Sequence, residues 1–270
     1  MSQPPDAPSL LPVLERYYDT APRSACDVED HGSLTLFVRR EGWPYYARPT
    51  LGWTADIGPD ELTSVLARQR ELDQPRALEW VLETTPSLLA TARAVGMTVE
   101  ECPLLVLDAT PAPPAEGSGV RLVPADDPDL ALVRAAVNVG FGTAGTAVGE
   151  ASTPERDTDA AARPETGARI AALIEAGLMV FAGAFDPQAG PVGGGSHNPR
   201  GDVTEVVGVA VLPAYRRRGL AAALTAVLAR DALERGISTV FCSAQDDDVA
   251  RVYESVGFRR VGTACVAEGD

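Results

Sequence analysis

The sequence predicts a mixed α/β fold, a central mixed sheet flanked by helices, with a smaller α/β domain ahead of it. Three observations lead there. Strand-length apolar segments alternate with amphipathic helical segments over residues 120–270, a shorter block of the same character fills residues 1–110, and a Pro/Gly-rich stretch at 111–119 reads as a linker. A chain of 270 residues is long enough for two ordinary domains. Its 45% hydrophobic and 23% charged content is that of a folded globular protein.

In the first block, residues 33–38 read as a strand, 59–72 and 75–95 as helical, and 104–107 as a strand. After the linker, 120–123 reads as a strand and 128–140 as a helix, with Leu130, Val133 and Val137 at helical spacing. Residues 142–163, rich in Thr, Gly, Ala and acidic side chains, fit either a mobile loop or a weak helix start. A helix over 164–176 stops at Gly177, and an apolar strand follows over 178–185. Val192 opens a short strand that the run Gly193-Gly194-Gly195 is expected to break, and 198–202 carries a turn signal. Residues 203–211 are the clearest strand. A helix over 218–235 buries Leu220, Leu224, Val227 and Leu228 and ends at Gly236; 237–242 is a strand of buried type. The helix 247–256 has an acidic first turn, as the helix dipole favours, and Gly257 ends it before a strand at 259–266. The expected order after the linker is β-α-α-β-β-β-α-β-α-β.

Net charge of −15 argues against nucleic-acid binding, which needs a basic face, and favours a cationic substrate. There is no lysine, a bias expected of a GC-rich bacterial genome, so lysine chemistry is excluded. Met1 to Asp6 offers neither a basic region nor an apolar signal core, and no apolar run approaches membrane-spanning length, so a cytoplasmic protein without a membrane partner is expected. Cys26, Cys102, Cys242 and Cys265 are far apart and only two histidines are present, so the cysteines read as reduced structural thiols and no metal is expected.

The chemistry concentrates between the strand ending at Val211 and the next helix, where Leu212-Pro213-Ala214-Tyr215 leads into Arg216-Arg217-Arg218-Gly219-Leu220-Ala221. The first N–H groups of a helix have no internal partner and converge on whatever sits at that end, so an anion fits there. Gly219 lets a phosphate approach the backbone, Ala221 keeps the next turn small, and three arginines supply positive charge. Without that strand and helix, the same string would read as a solvated basic helix start.

This string resembles the R/Q-x-x-G-x-G/A pattern of the GNAT acyltransferase superfamily, with Arg216, Gly219 and Ala221 at the defining positions. Arg251-Val252-Tyr253-Glu254-Ser255-Val256-Gly257-Phe258 is similar to that family's closing helix-Gly-Phe motif. The resemblance implies a GNAT fold and acetyl-CoA as cosubstrate. It also implies an N-acetyltransferase acting by direct attack on a primary amine, small-molecule or peptide, with a homodimer as a compatible assembly. The backbone of Val209, Ala210 and Val211 would pair with the pantetheine arm like an added strand. The amides of Arg217, Arg218, Gly219, Leu220, Ala221 and Ala222 would surround the pyrophosphate. Tyr253 would return a proton to the departing thiolate; on its residue type alone it could equally be packing. Where relatives often carry an asparagine that bonds the cofactor arm, this chain has Asp246, followed by Asp247 and Asp248, whose carboxylates could instead face a cationic acceptor.

The attacking amine must be neutral, and so needs a base. Glu205 lies six residues before Val211, where histone acetyltransferases of the superfamily carry a catalytic glutamate, and strand alternation puts it on the face of Val207, Val209 and Val211. It reads as that base or as a carboxylate at an exposed strand end paired with Arg200. His197, in what reads as a Gly-rich exposed turn, is the alternative. Gly208 marks a bulge or a close helix contact. Cys242 reads as packing, which leaves no thiol for a covalent intermediate.

The first block lacks the phosphate-binding string. Its Ala92-Arg93-Ala94-Val95-Gly96-Met97 imitates the closing motif, so the block reads either as a degenerate GNAT copy completing a substrate cleft or as an unrelated α/β unit. Trp43, Tyr45 and Tyr46 could form a cleft wall there, whereas Trp80 and His31 read as structural. A non-catalytic acyl-CoA sensor using the same turn is the competing function.

Overall fold

The structure, a computed structural model, describes residues 7–40, 44–143 and 145–269. It divides into two compact units, residues 1–104 with 260–270, and residues 105–259. Trp43 lies outside the described residues.

The first unit runs α1 (Ala7–Thr20), β1 (Cys26–Asp30), β2 (Leu34–Arg39), β3 (Arg48–Pro49), α2 (Pro59–Glu71), β4 (Ala77–Val81), α3 (Ser87–Ala94) and β5 (Thr98–Leu107), the last crossing into the second unit. Strands β1, β2 and β3 form an antiparallel sheet. The expected helix over 75–95 is half wrong, because its first part is strand β4. Ala77, Leu78, Trp80 and Val81 are all buried, so this strand is covered on both faces and lacks the alternation that marks a half-exposed one.

The expected boundary at 111–119 also moves. The last strand, β11 (Phe258–Glu268), pairs antiparallel with β4 from Ala264↔Val81 to Glu268↔Ala77. Its Cys265 and Ala267 sit in the core of Leu34, Leu36, Leu78 and Trp80, so main-chain bonds and packing join the C-terminus to the first unit.

The second unit contains β6 (Val120–Val123), α4 (Leu130–Phe141), α5 (Thr153–Ala162), α6 (Thr166–Glu175), β7 (Val180–Asp186), β8 (Gly190–Arg200), β9 (Val203–Val211), α7 (Leu220–Glu234), β10 (Thr239–Ser243) and α8 (Asp247–Glu254). Its strands lie in the order β10-β9-β8-β7-β6, antiparallel except for the parallel pair β9 and β10. Helix α5 settles the ambiguous stretch 142–163 and adds one helix to the expected order. Pro154 stands in its first turn, and Glu155 accepts the Ser152 amide at 2.8 Å.

Gly193-Gly194-Gly195 does not break β8, which continues to Arg200. A Cβ on Gly194 would meet Val133 of α4 at 2.6 Å, and one on Gly195 would meet Val209 at 2.9 Å and Leu228 of α7 at 3.4 Å. Successive strand residues face opposite ways, so α4 lies over one face too close for a side chain at Gly194, while on the other face Val209 of β9 crowds Gly195 and α7 stands at contact distance.

In chain order β1-β2-β3-α2-β4-α3-β5 repeats β7-β8-β9-α7-β10-α8-β11. Gly96 at φ 87° and Gly257 at φ 110° end α3 and α8 before their strands. The echo noted in the sequence is thus a repeat of element order.

Candidate active site

Strands β9 and β10 pair only through Val203, Thr204 and Glu205 against Thr239, Val240 and Phe241. Beyond Glu205 no further pair joins β9 to β10 among the described residues, and a cleft of about 960 Å³ opens along Val206–Val211. Its other walls include the end of α4, the start of α7, Ser243 at the end of β10 with Gln245 just after it, and α8 from Asp248 to Tyr253. The backbone edge of Val209, Ala210 and Val211 therefore borders open space, the setting an added extended segment requires.

A bulge shapes that edge. Val207 faces Ser196 and Ala210 faces Gly194, so β9 has one residue more than β8 across this interval, and Gly208 takes φ 66°. The sequence left bulge or helix contact open at Gly208. The structure shows the bulge, and a Cβ there would touch nothing within 4 Å. The extra residue also corrects the expected alternation: Glu205 and Val207 share a face with Ala210, while Val211 falls on the opposite one.

At the end of β9, Pro213–Tyr215 forms a single 3-10 turn and the chain enters α7 through two left-handed residues, Arg217 at φ 63° and Gly219 at φ 77°. Gly219 occupies the N-cap and has no side chain to accept a bond, so the amides of the first turn of α7 stay open at the cleft lined by Gly219, Leu220, Ala221 and Ala222. Helix α2, which holds the same place in the first unit's order, differs. Pro59 at its start has no N–H, and the Glu61 carboxylate takes the Gly58 amide at 2.8 Å. That terminus thus has one amide fewer and a carboxylate of its own beside it, whereas the start of α7 has neither a proline nor a carboxylate and leaves room for an anion.

The three arginines of the turn do different things. Arg217 lines the cleft and is exposed. Arg218 points its guanidinium over the Tyr215 ring at 4.7 Å and toward Asp186 at 3.7 Å, and it is not among the lining residues. Arg216 lines the cleft, and its donors go to main-chain carbonyls, Gly140 and Thr143 each at 2.7 Å and Ala147 at 3.2 Å. Burial lowers its pKa from the usual arginine value.

Tyr253 lines the cleft, is 6% exposed, and stacks edge-on against Phe258 with ring centres 5.8 Å apart. Burial above all, and then Cys242 and Glu205, push its phenol well above the usual tyrosine value. Glu205 is therefore an electrostatic neighbour of Tyr253, although it is not itself among the lining residues. Cys242 is fully buried, and its thiol is pushed up first by that burial and then by Glu205, so it is not a nucleophile in waiting.

Two candidates move away from the site. The Asp246 carboxylate caps α8, accepting the Val249 amide at 2.8 Å, and it is not among the lining residues. His197 lies in β8, not in an exposed turn. It is fully buried between Thr204 at 3.0 Å and Asp231 of α7 at 2.9 Å. Asp248 does face the cleft, but in an ion pair with Arg251.

Sequence reasoning missed Ser243 and Gln245, and also the wall made by Gly140, Phe141, Thr143, Gly145 and Thr146. Phe141, 58% exposed at the end of α4, was the one available signal, since a large apolar side chain at a helix end needs a use.

A parallel strand pair thus separates beside an uncapped helix N-terminus, with a buried tyrosine on the wall of the cleft between them. Residues 150–258 match the family model described as Acetyltransferase (GNAT) family, so this stretch is a GNAT-type acyltransferase domain. Among solved structures, a GCN5-related N-acetyltransferase from Kribbella flavida is 20% identical with a TM-score of 0.68, covering 97% of this chain and 96% of that one. A GNAT-family protein from Novosphingobium aromaticivorans DSM 12444 is 18% identical with a TM-score of 0.57, covering 97% and 99%. A tandem GNAT protein from the clavulanic acid biosynthesis pathway is 19% identical with a TM-score of 0.50, covering 88% and 79%. At these identities the likeness is one of fold. A search of curated proteins returned no match. No helix among the described residues is long and apolar enough to cross a membrane.

Proposed function

We propose that this protein transfers an acetyl group from acetyl-CoA to a primary amine, small or peptide-borne, by direct attack in a ternary complex. The observation that carries this reading is the uncapped first turn of α7, with Gly219 left-handed, opening on a cleft along the unpaired edge of β9. Its amides suit the pyrophosphate, and Val209, Ala210 and Val211 suit the pantetheine arm. The amine nitrogen attacks the thioester carbonyl carbon and gives up its proton toward Glu205. The tetrahedral species collapses by breaking the C–S bond, and the sulfur takes a proton from Tyr253. Burial keeps the Tyr253 phenol protonated, the form a donor needs, but widens its pKa gap above a thiol. Placement, not acidity, is its contribution. The buried Cys242 favours direct attack over an acyl-enzyme.

The test is calorimetry with coenzyme A and acetyl-CoA on the full chain, followed by thiol release across small amines, aminoglycosides, peptide N-termini and protein lysines. Binding with turnover on one class supports the proposal. Binding without turnover on any class supports an acyl-CoA sensor, and no binding refutes both.

A further inference from the structure

We propose that Arg216 is a positioning residue that fastens the α4–α5 loop, a wall of the cleft, to the diphosphate-binding turn, so that filling the turn orders the wall. The inference rests on the acyl-CoA reading of that turn.

The geometry is specific. One terminal nitrogen, Nη2, donates to the carbonyls of Gly140 and Thr143, both at 2.7 Å, and Nη1 donates to Ala147 at 3.2 Å. Nε lies 3.4 Å from the Val211 carbonyl. Gly140 lies in the last turn of α4, where carbonyls lack intrahelical donors and the dipole favours a cation. One planar fork thus joins the helix end, two points of the loop and the end of β9. A lysine ammonium, a compact point donor, could take the two carbonyls that Nη2 takes but not those of Ala147 and Val211 as well. Among the described residues no carboxylate forms an ion pair with Arg216, so the guanidinium is solvated by carbonyls and its charge stands uncompensated behind the open amides of α7.

Two main-chain bonds reinforce the fastening. The Gly149 amide donates to Pro213 at 3.2 Å, and the Ala214 amide donates to Ala151 at 3.1 Å. A Cβ on Gly149 would stand 3.0 Å from the Pro213 side chain, so loop and turn are also in close contact. The fastened loop supplies Thr143, Gly145 and Thr146 to the cleft. Since Arg217 and the α7 amides follow Arg216 directly, an anion that fixes their dihedrals also fixes the base of its side chain.

Hydrogen exchange on the full chain, with coenzyme A as probe, tests this. In the wild-type protein coenzyme A should slow exchange about threefold or more over residues 145–151 as well as 216–222. In Arg216→Met without ligand, residues 145–151 should exchange on the order of tenfold faster, and coenzyme A should then protect 216–222 alone. Arg216→Lys should fall between Arg216→Met and wild type. Loop exchange unchanged by Arg216→Met overturns the proposal. Should Arg216→Met unfold, seen as fast exchange across β9 and α7, the wild-type response decides: protection confined to 216–222 overturns it. If coenzyme A does not bind the wild type, the cofactor reading and the coupling fail together, while the ligand-free comparison still decides the fastening.

Discussion

Gly219 holds φ 77°, and a Cβ placed there would meet nothing within 4 Å, so the cost of a side chain is conformational and not steric. Gly219→Ala should lower stability by about 1–2 kcal/mol, the penalty of a left-handed non-glycine residue, measured as a urea midpoint shift. It should also weaken coenzyme A binding by more than that loss implies, because the new methyl stands where the anion must approach. Tyr253 allows a cleaner separation of binding from chemistry. Tyr253→Phe keeps the ring against Phe258 and removes only the hydroxyl, so coenzyme A affinity by calorimetry should hold. Turnover in the thiol-release assay should fall by about 100-fold, the low end for a lost general acid. Equal turnover in both proteins would remove Tyr253 from the mechanism. At this scale the sequence was most legible where backbone chemistry dictates residue type: Gly219, Ala221 and the Tyr253-to-Phe258 run all stand at the cleft or beside it. It was least legible for polar side chains with several partners in reach. Asp246 caps its own helix and Arg216 takes carbonyls, since unsatisfied backbone groups stand within reach and local sequence does not announce them.

Strand β8 and helix α7 are joined at the level of elements by a buried polar contact among their apolar neighbours. His197 reaches Asp231, which also accepts from Arg235 one turn further on. Burial opposes ionisation of Asp231, but the bonds from His197 and Arg235 outweigh it, and its pKa falls below the ordinary aspartate value. A depressed carboxylate stabilises the fold at pH values above its unfolded pKa, and that contribution disappears as the pH falls through the folded one. Wild type should therefore exceed Asp231→Asn by about 1–3 kcal/mol at pH 7, and the gap should close as the pH falls below about 4, read from urea midpoints across that range. A gap that stays constant with pH would mean the carboxylate's charge is not what the contact uses. The same strand shows why a run of glycines misled. Turn chemistry assigns Gly193-Gly194-Gly195 to a break, yet the triplet is where α4 and the neighbouring strand β9 come too close for side chains, and only the packed structure supplies that reason. Likewise β4 has apolar residues at helical spacing because both its faces are buried, a pattern that local periodicity cannot tell from a helix.

Residues 26–107 and 180–268 repeat one order of elements, and of the helices α2 and α7 that hold the same place in it, α7 has the start free of proline and carboxylate. The glycine-containing phosphate string made that difference readable in advance, while the ownership of the last strand was not, since strand pairing between residues nearly two hundred positions apart leaves no local trace. Ala264 to Glu268 pair with Val81 to Ala77, and Cys265 and Ala267 enter the core that encloses Trp80, itself 0% exposed. Ending the chain at Arg259 would leave the main-chain groups of β4 without this partner and open the core around Trp80. Truncation should therefore cost more than the 1–3 kcal/mol of an ordinary core substitution and should shift tryptophan emission to the red. Coenzyme A binding provides the second readout. The open amides, the β9 edge and Tyr253 all belong to residues 105–259, so calorimetry on the truncated chain asks whether that unit carries the cofactor site by itself. Retained binding with red-shifted emission is the expected result. Unchanged emission would mean that β11 is dispensable to the first unit, against the pairing seen here.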